Sequence, residues 1–239
     1  MSNIFLSIIV PAYNEEKNIR SCLLSLVNQK SKYTFEVILV DNNSTDKTYE
    51  IGKKIGVSII RETKQGRPFA RQKGAEFAKG EILVFTEADC LAPSDWIDKI
   101  GNYFVTHSNV IGLAGKYKFI DSSPLLSYIG PKTVTLSSFI YRLFTGNNTL
   151  RGTNFAIRKS IFNKVGKFRK EASPLDDVDY GFRASKFGQI DYLPSLWVYT
   201  QDRRIRGRLM KFVWEFTTSF ITVFFLKKPG GDNMYIPIR

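Results

Sequence analysis

Acidic residues stand at three places in this 239-residue chain where their spacing could do chemistry. Glu87 and Asp89, one residue apart, follow the apolar run Ile82–Phe85. In extended chain, residues two apart point to the same side, so the two carboxylates can share a hard cation through oxygen ligands. Magnesium or manganese held this way keeps positions open for phosphate oxygens and neutralises charge on a diphosphate leaving group. The pair can equally be an acidic turn ahead of a helix beginning near Ser94–Asp95. Asp41 ends a second apolar run, Phe35–Val40, and opens the turn Asp41–Asp46. Ser44, Thr45 and Asp46 are explained as helix caps. Asp41 is not, and it can accept hydrogen bonds from a base or a ribose. The third place is Asp176-Asp177-Val178-Asp179, where three acids in four positions repel one another. A helix N-terminus offsets that repulsion through its dipole. Either the cluster simply starts a helix, or it supplies a general base for an acceptor hydroxyl.

The elements that must position these acids follow a strand–helix rhythm. Leu6–Val10, Phe35–Val40, Val57–Ile60 and Ile82–Phe85 read as buried strands. Glu16–Asn28, a segment ending near Gly56, and a segment with Pro68 in its first turn and Gly80 as its stop read as the intervening helices. Such alternation predicts a mainly parallel sheet covered on both faces. The polar clusters Pro11–Glu15, Asp41–Asp46 and Glu87–Asp89 all follow strand carboxyl ends, the edge where open α/β sheets bind ligands. Beyond residue 100 the rhythm breaks down. Val110–Ala114 and Asn154–Ile157 read as strands and Asp176–Phe187 as a helix closed by Gly188. Residues 124–145 are apolar but interrupted by Pro131, Lys132 and Arg142, a poor membrane span.

The net charge is +13 and unevenly placed. Residues 1–100 hold 14 basic and 13 acidic side chains, a balance of +1; residues 101–239 hold 21 and 9, a balance of +12. That asymmetry suggests an anionic partner. One histidine argues against multi-histidine metal sites and histidine catalysis, and Cys22 and Cys90 have no disulfide or zinc spacing. No basic leader precedes the first apolar run, so a reducing, cytoplasmic setting is expected.

Six motifs occur in order: Ser7–Glu15, Val40–Asp46, Ala70–Gly74, Gly80–Cys90, Gly152–Asn154 and Asp176–Asp179. Together they resemble family 2 inverting glycosyltransferases with the GT-A fold, over about residues 5–200. The resemblance implies an α/β fold of GT-A type, a Rossmann-like mainly parallel sheet flanked by helices. The nucleotide-binding part would span about 1–115 and the acceptor part about 116–200, with a C-terminal helical, aromatic extension over 201–239. It implies that Pro11, Tyr13, Glu15, Asp41 and Arg71 line the nucleotide pocket. Glu87 and Asp89 match the ends of the metal-binding DXD motif, with glutamate at the first position. Asp176 and Asp177 match the ED motif, with Asp177 as base. Gly152 and Asn154 match a loop beside donor sugar and acceptor. Gln201 and Arg204 match a QxxRW motif whose tryptophan is Ile205 here, which argues against processive synthesis.

The expected activity is inverting transfer of a sugar from a nucleotide-sugar to a hydroxyl on a glycan or lipid-linked saccharide, with manganese or magnesium as cofactor. UDP is favoured over GDP by family frequency alone. The competing enzyme is a polyprenyl-phosphate glycosyltransferase, whose phosphate acceptor needs no base. Neither GxGxxG nor a Walker A sequence is present, against dinucleotide oxidoreductases and P-loop enzymes, and no nucleic-acid motif accompanies the basic half. Five basic residues between Arg203 and Lys211, the aromatic run Phe212–Leu226 and Lys227-Lys228 suggest peripheral attachment to an anionic cytoplasmic membrane face. Packing of that segment on the catalytic domain, or on a second copy in a homo-oligomer, is the alternative.

Overall fold

The computed structural model describes residues 5–120, 122–170 and 175–203. Its strands are β1 (Phe5–Ala12), β2 (Thr34–Asp41), β3 (Ser58–Arg61), β4 (Ile82–Thr86), β5 (Val110–Ile120), β6 (Asn154–Arg158) and β7 (Gln189–Gln201). Its helices are α1 (Ile19–Val27), α2 (Thr48–Ile55), α3 (Arg67–Phe77), α4 (Trp96–Thr106), α5 (Pro124–Thr145), α6 (Lys159–Val165) and α7 (Asp176–Ala184).

The strands form one seven-stranded sheet in the order β3-β2-β1-β4-β6-β5-β7. The pairs β1–β2, β1–β4, β2–β3 and β5–β7 are parallel; β6 alone runs antiparallel, against both β4 and β5. Continuous apolar runs form the inner strands because both faces are covered. Ile8 and Ile9 are both fully buried but on opposite faces, as the two-residue period of a strand requires. Ile8 joins a core with Leu23, Ile97 and Phe104; Ile9 joins one with Ala70, Phe85 and Phe155. Phe85 on β4 stacks on Phe155 of β6 with ring centroids 4.5 Å apart, which fastens the antiparallel strand to the parallel half.

Local signals act as the sequence suggests in the first half. Gly56 ends α2 at φ +85°, a left-handed position where an L side chain is strained. Pro68 lies in the first turn of α3. Three features differ from expectation. Residues 124–145 form a single 22-residue helix that runs past Pro131, whose fixed φ is itself helical and whose missing N–H costs one hydrogen bond. The strand at Val110 extends to Ile120. Residues 189–201, unassigned from sequence, form the longest strand of the sheet. Among the described residues no helix is long and apolar enough to cross a membrane. Residues 204–239, which include Arg204 and nearly all of the basic, aromatic segment, lie outside the described residues.

Candidate active site

The carboxyl ends of β1, β2 and β4 share one edge, and the loops leaving β1 and β2 lock together there. The Asn14 amide donates to Ser44 Oγ at 3.0 Å, and Asn14 Oδ1 accepts from the Thr45 amide at 2.8 Å. The Glu15 amide donates to Thr48 Oγ1 at 2.8 Å. Asn14 sits at φ +53°, which asparagine tolerates better than most residues. This interlock is where Ser44 and Thr45 are used. Of the three expected caps, only Asp46 meets α2, accepting from the Thr48 amide at 2.9 Å. Asp41 is 1% exposed: Oδ1 faces the Ser44 amide at 3.4 Å, and Oδ2 lies 3.6 Å from Arg61 Nε. Pro11 and Tyr13 line the same edge, both half-buried.

Two groups of arginine–carboxylate pairs occupy the space beyond that edge. The first centres on the fully buried Arg71 and Asp176. Arg67, opening α3, donates from Nη1 to Glu87 Oε1 at 3.1 Å and from Nη2 to Asp176 Oδ1 at 2.8 Å. Arg71, one turn on and fully buried, donates from Nη1 to Asp176 Oδ2, and its Nη2 lies 3.7 Å from Glu87 Oε1. Nε and Nη2 of Arg71 make no hydrogen bond among the described residues. Burial works against ionisation of Asp176, yet the Arg67 and Arg71 guanidiniums hold its carboxyl below the usual range. One strand end and two helix starts, far apart in sequence, are thereby tied into one block.

Gly152 completes this block. A Cβ built there would stand 1.6 Å from Arg71 Nη2, so the guanidinium lies where any side chain would be. The Gly152 amide donates to Asp177 Oδ2, and the Val178 amide donates to Oδ1 at 2.9 Å. The three acids of α7 thus have different fates. Asp176 is taken by Arg67 and Arg71, and Asp179 by Arg183 at 3.0 Å and Arg169 at 3.7 Å. Asp177 is half-buried, is held by backbone amides, and has no ion pair among the described residues.

The second group lies nearer solvent. Arg203, just past β7, donates from Nη2 to both oxygens of Glu15 at 2.9 Å and to Asp89 Oδ2 at 3.0 Å. Gln201 donates to Asn18 Oδ1 at 2.9 Å, and Asn18 donates to Glu15 Oε2 at 2.8 Å. Burial raises the Asp89 carboxyl, the nearby Glu87 charge adds to it, and Arg203 works the other way. Burial would lower the Arg203 guanidinium, but Glu15 and Asp89 raise it overall.

Sequence reasoning aimed Glu87 and Asp89 at one shared cation. Here they are turned to different guanidiniums, Glu87 to Arg67 and Asp89 to Arg203. Among the described residues no group of three or more histidine, cysteine or acidic side chains is placed to hold a metal by itself. Asn154 also differs from its expected place beside donor and acceptor. Its Nδ2 donates to Lys116 and Leu196 carbonyls at 2.9 and 3.1 Å, and its Oδ1 accepts from Trp96 Nε1 at 3.0 Å. It is 1% exposed and fastens β6 to its neighbours. Gly152 and Asp176 do stand with Glu87 and Arg71, and Gln201 with Glu15. Sequence reasoning missed Arg67 and Arg203. The available signals were the Gly66-Arg67-Pro68 opening of α3 and an arginine one place before the arginine of the Gln201–Arg204 motif.

Comparison with known proteins gives a consistent result. A family model, Glycosyl transferase family 2, matches residues 7–166. Glycosyltransferase AglE of Haloferax volcanii is 29% identical over 197 residues, which span 77% of this chain and 62% of that protein's length. S. aureus TarS 1-349 in complex with UDP superposes with a TM-score of 0.66 at 25% identity, covering 83% of this chain and 60% of that 1-349 chain. Glucosyl-3-phosphoglycerate synthase from Mycobacterium tuberculosis, solved with Mn2+, UDP and phosphoglyceric acid, gives a TM-score of 0.70 at 15% identity over 92% of this chain and 78% of that one.

Proposed function

The chain belongs to glycosyl transferase family 2 and has the GT-A fold, and from that premise we propose that it transfers a sugar, with inversion, from a nucleotide diphosphate donor to an acceptor hydroxyl, using a divalent cation and Asp177 as base. The donor is a UDP-sugar. The acceptor is a glycan or lipid-linked saccharide, and the work is done at an anionic membrane face to which residues 203–228 attach the chain.

One observation carries this reading. Of the three clustered acids, Asp176 and Asp179 are neutralised by arginines, and Asp177 alone is half-exposed with no ion pair among the described residues. A carboxylate positioned by two backbone amides has lone pairs left to accept a proton. As the acceptor oxygen bonds to the anomeric carbon, its proton passes to Asp177. The bond from that carbon to the diphosphate breaks, and the electron pair leaves on the nucleotide.

The residues present fit a divalent cation. Asp89 and Glu15 already converge on one positive group, the Arg203 guanidinium, with oxygens at 2.9–3.0 Å. Two carboxylates are what magnesium or manganese takes from a protein when substrate phosphates and water complete the shell. Asp89 would hold the ion, with Glu87 beside it and Arg203 displaced. When bound, the cation neutralises charge on the leaving diphosphate. Pro11, Tyr13, Glu15 and Asp41 form the nucleotide side, and Arg67 and Arg71 hold Asp176 so that α7 presents Asp177.

Asp177→Asn tests the assignment. It is expected to bind UDP-sugar as the wild type does and to lose about 10²–10⁴-fold in transfer to hydroxyl acceptors, measured as UDP release over a panel of saccharide and lipid-linked acceptors. An undiminished rate would point instead to a polyprenyl phosphate acceptor, whose oxygen is already anionic.

A further inference from the structure

α5 is closed at both ends by its own residues. The Ser123 hydroxyl caps its start, accepting from the Leu126 amide at 3.3 Å, and Gly146 ends it in the left-handed region at φ +69°. Its outward side carries three large apolar side chains, Tyr128 at 64%, Phe139 at 58% and Leu143 at 68% exposure. Among the described residues no other large apolar side chain is as exposed, and all three stand on this one helix. Lys132 and Arg142 are exposed on the same side. At 100° per residue the five positions fall within an arc of about 100°, along about 22 Å of the helix axis. Tyr141, on the far side, is 1% exposed.

Single exposed apolar residues need no explanation, but a stripe of them marks a contact surface. Charge says what kind of surface meets it. Lys132 and Arg142 have no ion pair among the described residues, and Lys132 Nζ lies 3.5 Å from the centre of the Tyr128 ring. The sequence from residue 122 to residue 170 holds nine lysines and arginines and no acid. A second copy laid on this face would set these cations against their like. The basic residues that begin the C-terminal segment would be repelled in the same way. The partner that fits is anionic and apolar at once. An acidic bilayer is that: apolar side chains enter the boundary of headgroups and acyl chains, tyrosine sits at headgroup level, and lysine and arginine extend to the phosphates.

From this stripe we propose that α5 is a membrane-contacting helix. It lies along an anionic bilayer without crossing it, with Phe139 and Leu143 in the interfacial layer and Lys132 and Arg142 at the lipid phosphates. The proposal deepens the reading that the chain works at an anionic membrane face, but it does not use residues 203–228, so the chain touches the bilayer at a second place. A flank of α5 is also fastened to the site. Ser138 Oγ accepts from Arg151 Nη2 at 2.8 Å, and Arg151 precedes Gly152, whose amide holds Asp177.

The test reads the helix face directly. Leu143→Cys in the full chain carries the environment-sensitive dye NBD, with Cys22 and Cys90 protected by burial, and is mixed with equimolar phosphatidylglycerol–phosphatidylcholine vesicles. The dye emission is expected to rise and shift to the blue, and spin-labelled lipid to quench it. In the undyed chain, Phe139→Ser with Leu143→Ser, or Lys132→Glu with Arg142→Glu, is expected to weaken sedimentation with the same vesicles by about tenfold. The inference is overturned if the chain binds vesicles while the dye stays in water; residues 203–228 then attach it alone, and the membrane-face reading stands. Equal binding to phosphatidylcholine alone would also overturn it, because the cations would then have no role. A dye already shielded without vesicles would mean that protein covers the face, a second copy if dilution exposes the dye and the chain itself if it does not, and either result overturns the inference. If no vesicle binds, this inference and the membrane-face reading fall together, while UDP release from the donor still judges the transferase.

Discussion

The two arginine–carboxylate groups use the same chemistry at different depths. Around Asp176, that carboxylate and the Arg71 guanidinium are fully buried, joined by short contacts to the half-buried Arg67 and Glu87, and the buried pair cannot separate without leaving a charge stranded in the interior. Around Glu15 and Asp89, a single guanidinium that is 39% exposed holds both acids, and water can take over its contacts. Burial decides what each group can be. The inner one is a fastener between β4, α3 and α7; the outer one rests on a single part-exposed guanidinium, the positive charge that a cation would replace in the proposed reaction.

The largest effect expected from that contrast is on stability. Arg71→Ala leaves the buried Asp176 carboxylate with Arg67 alone and should cost about 3–5 kcal/mol, the usual cost of removing one partner of a buried pair, read from urea unfolding. A cost below about 1 kcal/mol would place this group in the same class as the outer one. Next comes Gly152→Ala, whose methyl would collide with Arg71 Nη2. About 1–3 kcal/mol is expected for such overpacking, together with slower transfer, because the Gly152 amide that holds Asp177 must shift. The pH dependence sharpens the same point. The Asp176 carboxyl is held below its ordinary value of 3.8, so in acid the unfolded chain binds more protons than the folded one. Its stabilisation is therefore present above about pH 3.8 and lost as pH falls through the lower folded value. Asp176→Asn, weaker at neutral pH, should lose less further stability over that range. Arg203→Ala is expected to move stability by no more than about 1 kcal/mol while tightening manganese in the presence of UDP. Asp89→Ala should remove the manganese effect on UDP binding altogether. If Arg203→Ala instead unfolds the chain, the outer group is a fastener too.

Legibility in the sequence follows the same division between local and distant causes. The first four strands and three helices were readable because their signals are local: apolar runs, Gly56 at a helix end, Pro68 at a helix start. The acids at the strand ends and Asp176–Asp179 were visible as clusters. What was not visible depends on partners far along the chain. Asp177 is singled out only because arginines from α3, α7 and the segment after α6 occupy its neighbours. Asn154 looked like a site residue, but its side chain is consumed by carbonyls of Lys116 and Leu196 and by Trp96. β7 carries no clean alternation, with Asp191, Pro194, Ser195 and Gln201 along its length, and its pairing with β5 has two register shifts. Such a strand is defined by its neighbour more than by its own pattern.

The antiparallel strand also has a consequence for how the chain comes together in time. β6 sits between β4 and β5, so β5 has no partner in the sheet until residues 154–158 have been made, and its other neighbour begins only at residue 189. The β1–β4 portion can assemble as it leaves the ribosome, since each of its strands pairs with one already synthesised. The outer edge of β4 and the whole of β5 must then stay open while α5 and the loop after it are translated. Closing long-range pairings late is slow and exposes apolar edges to other chains. During synthesis, the hazard for this protein is therefore concentrated in residues 82–120, and it ends when β6 slides into place and brings Gly152 onto Arg71.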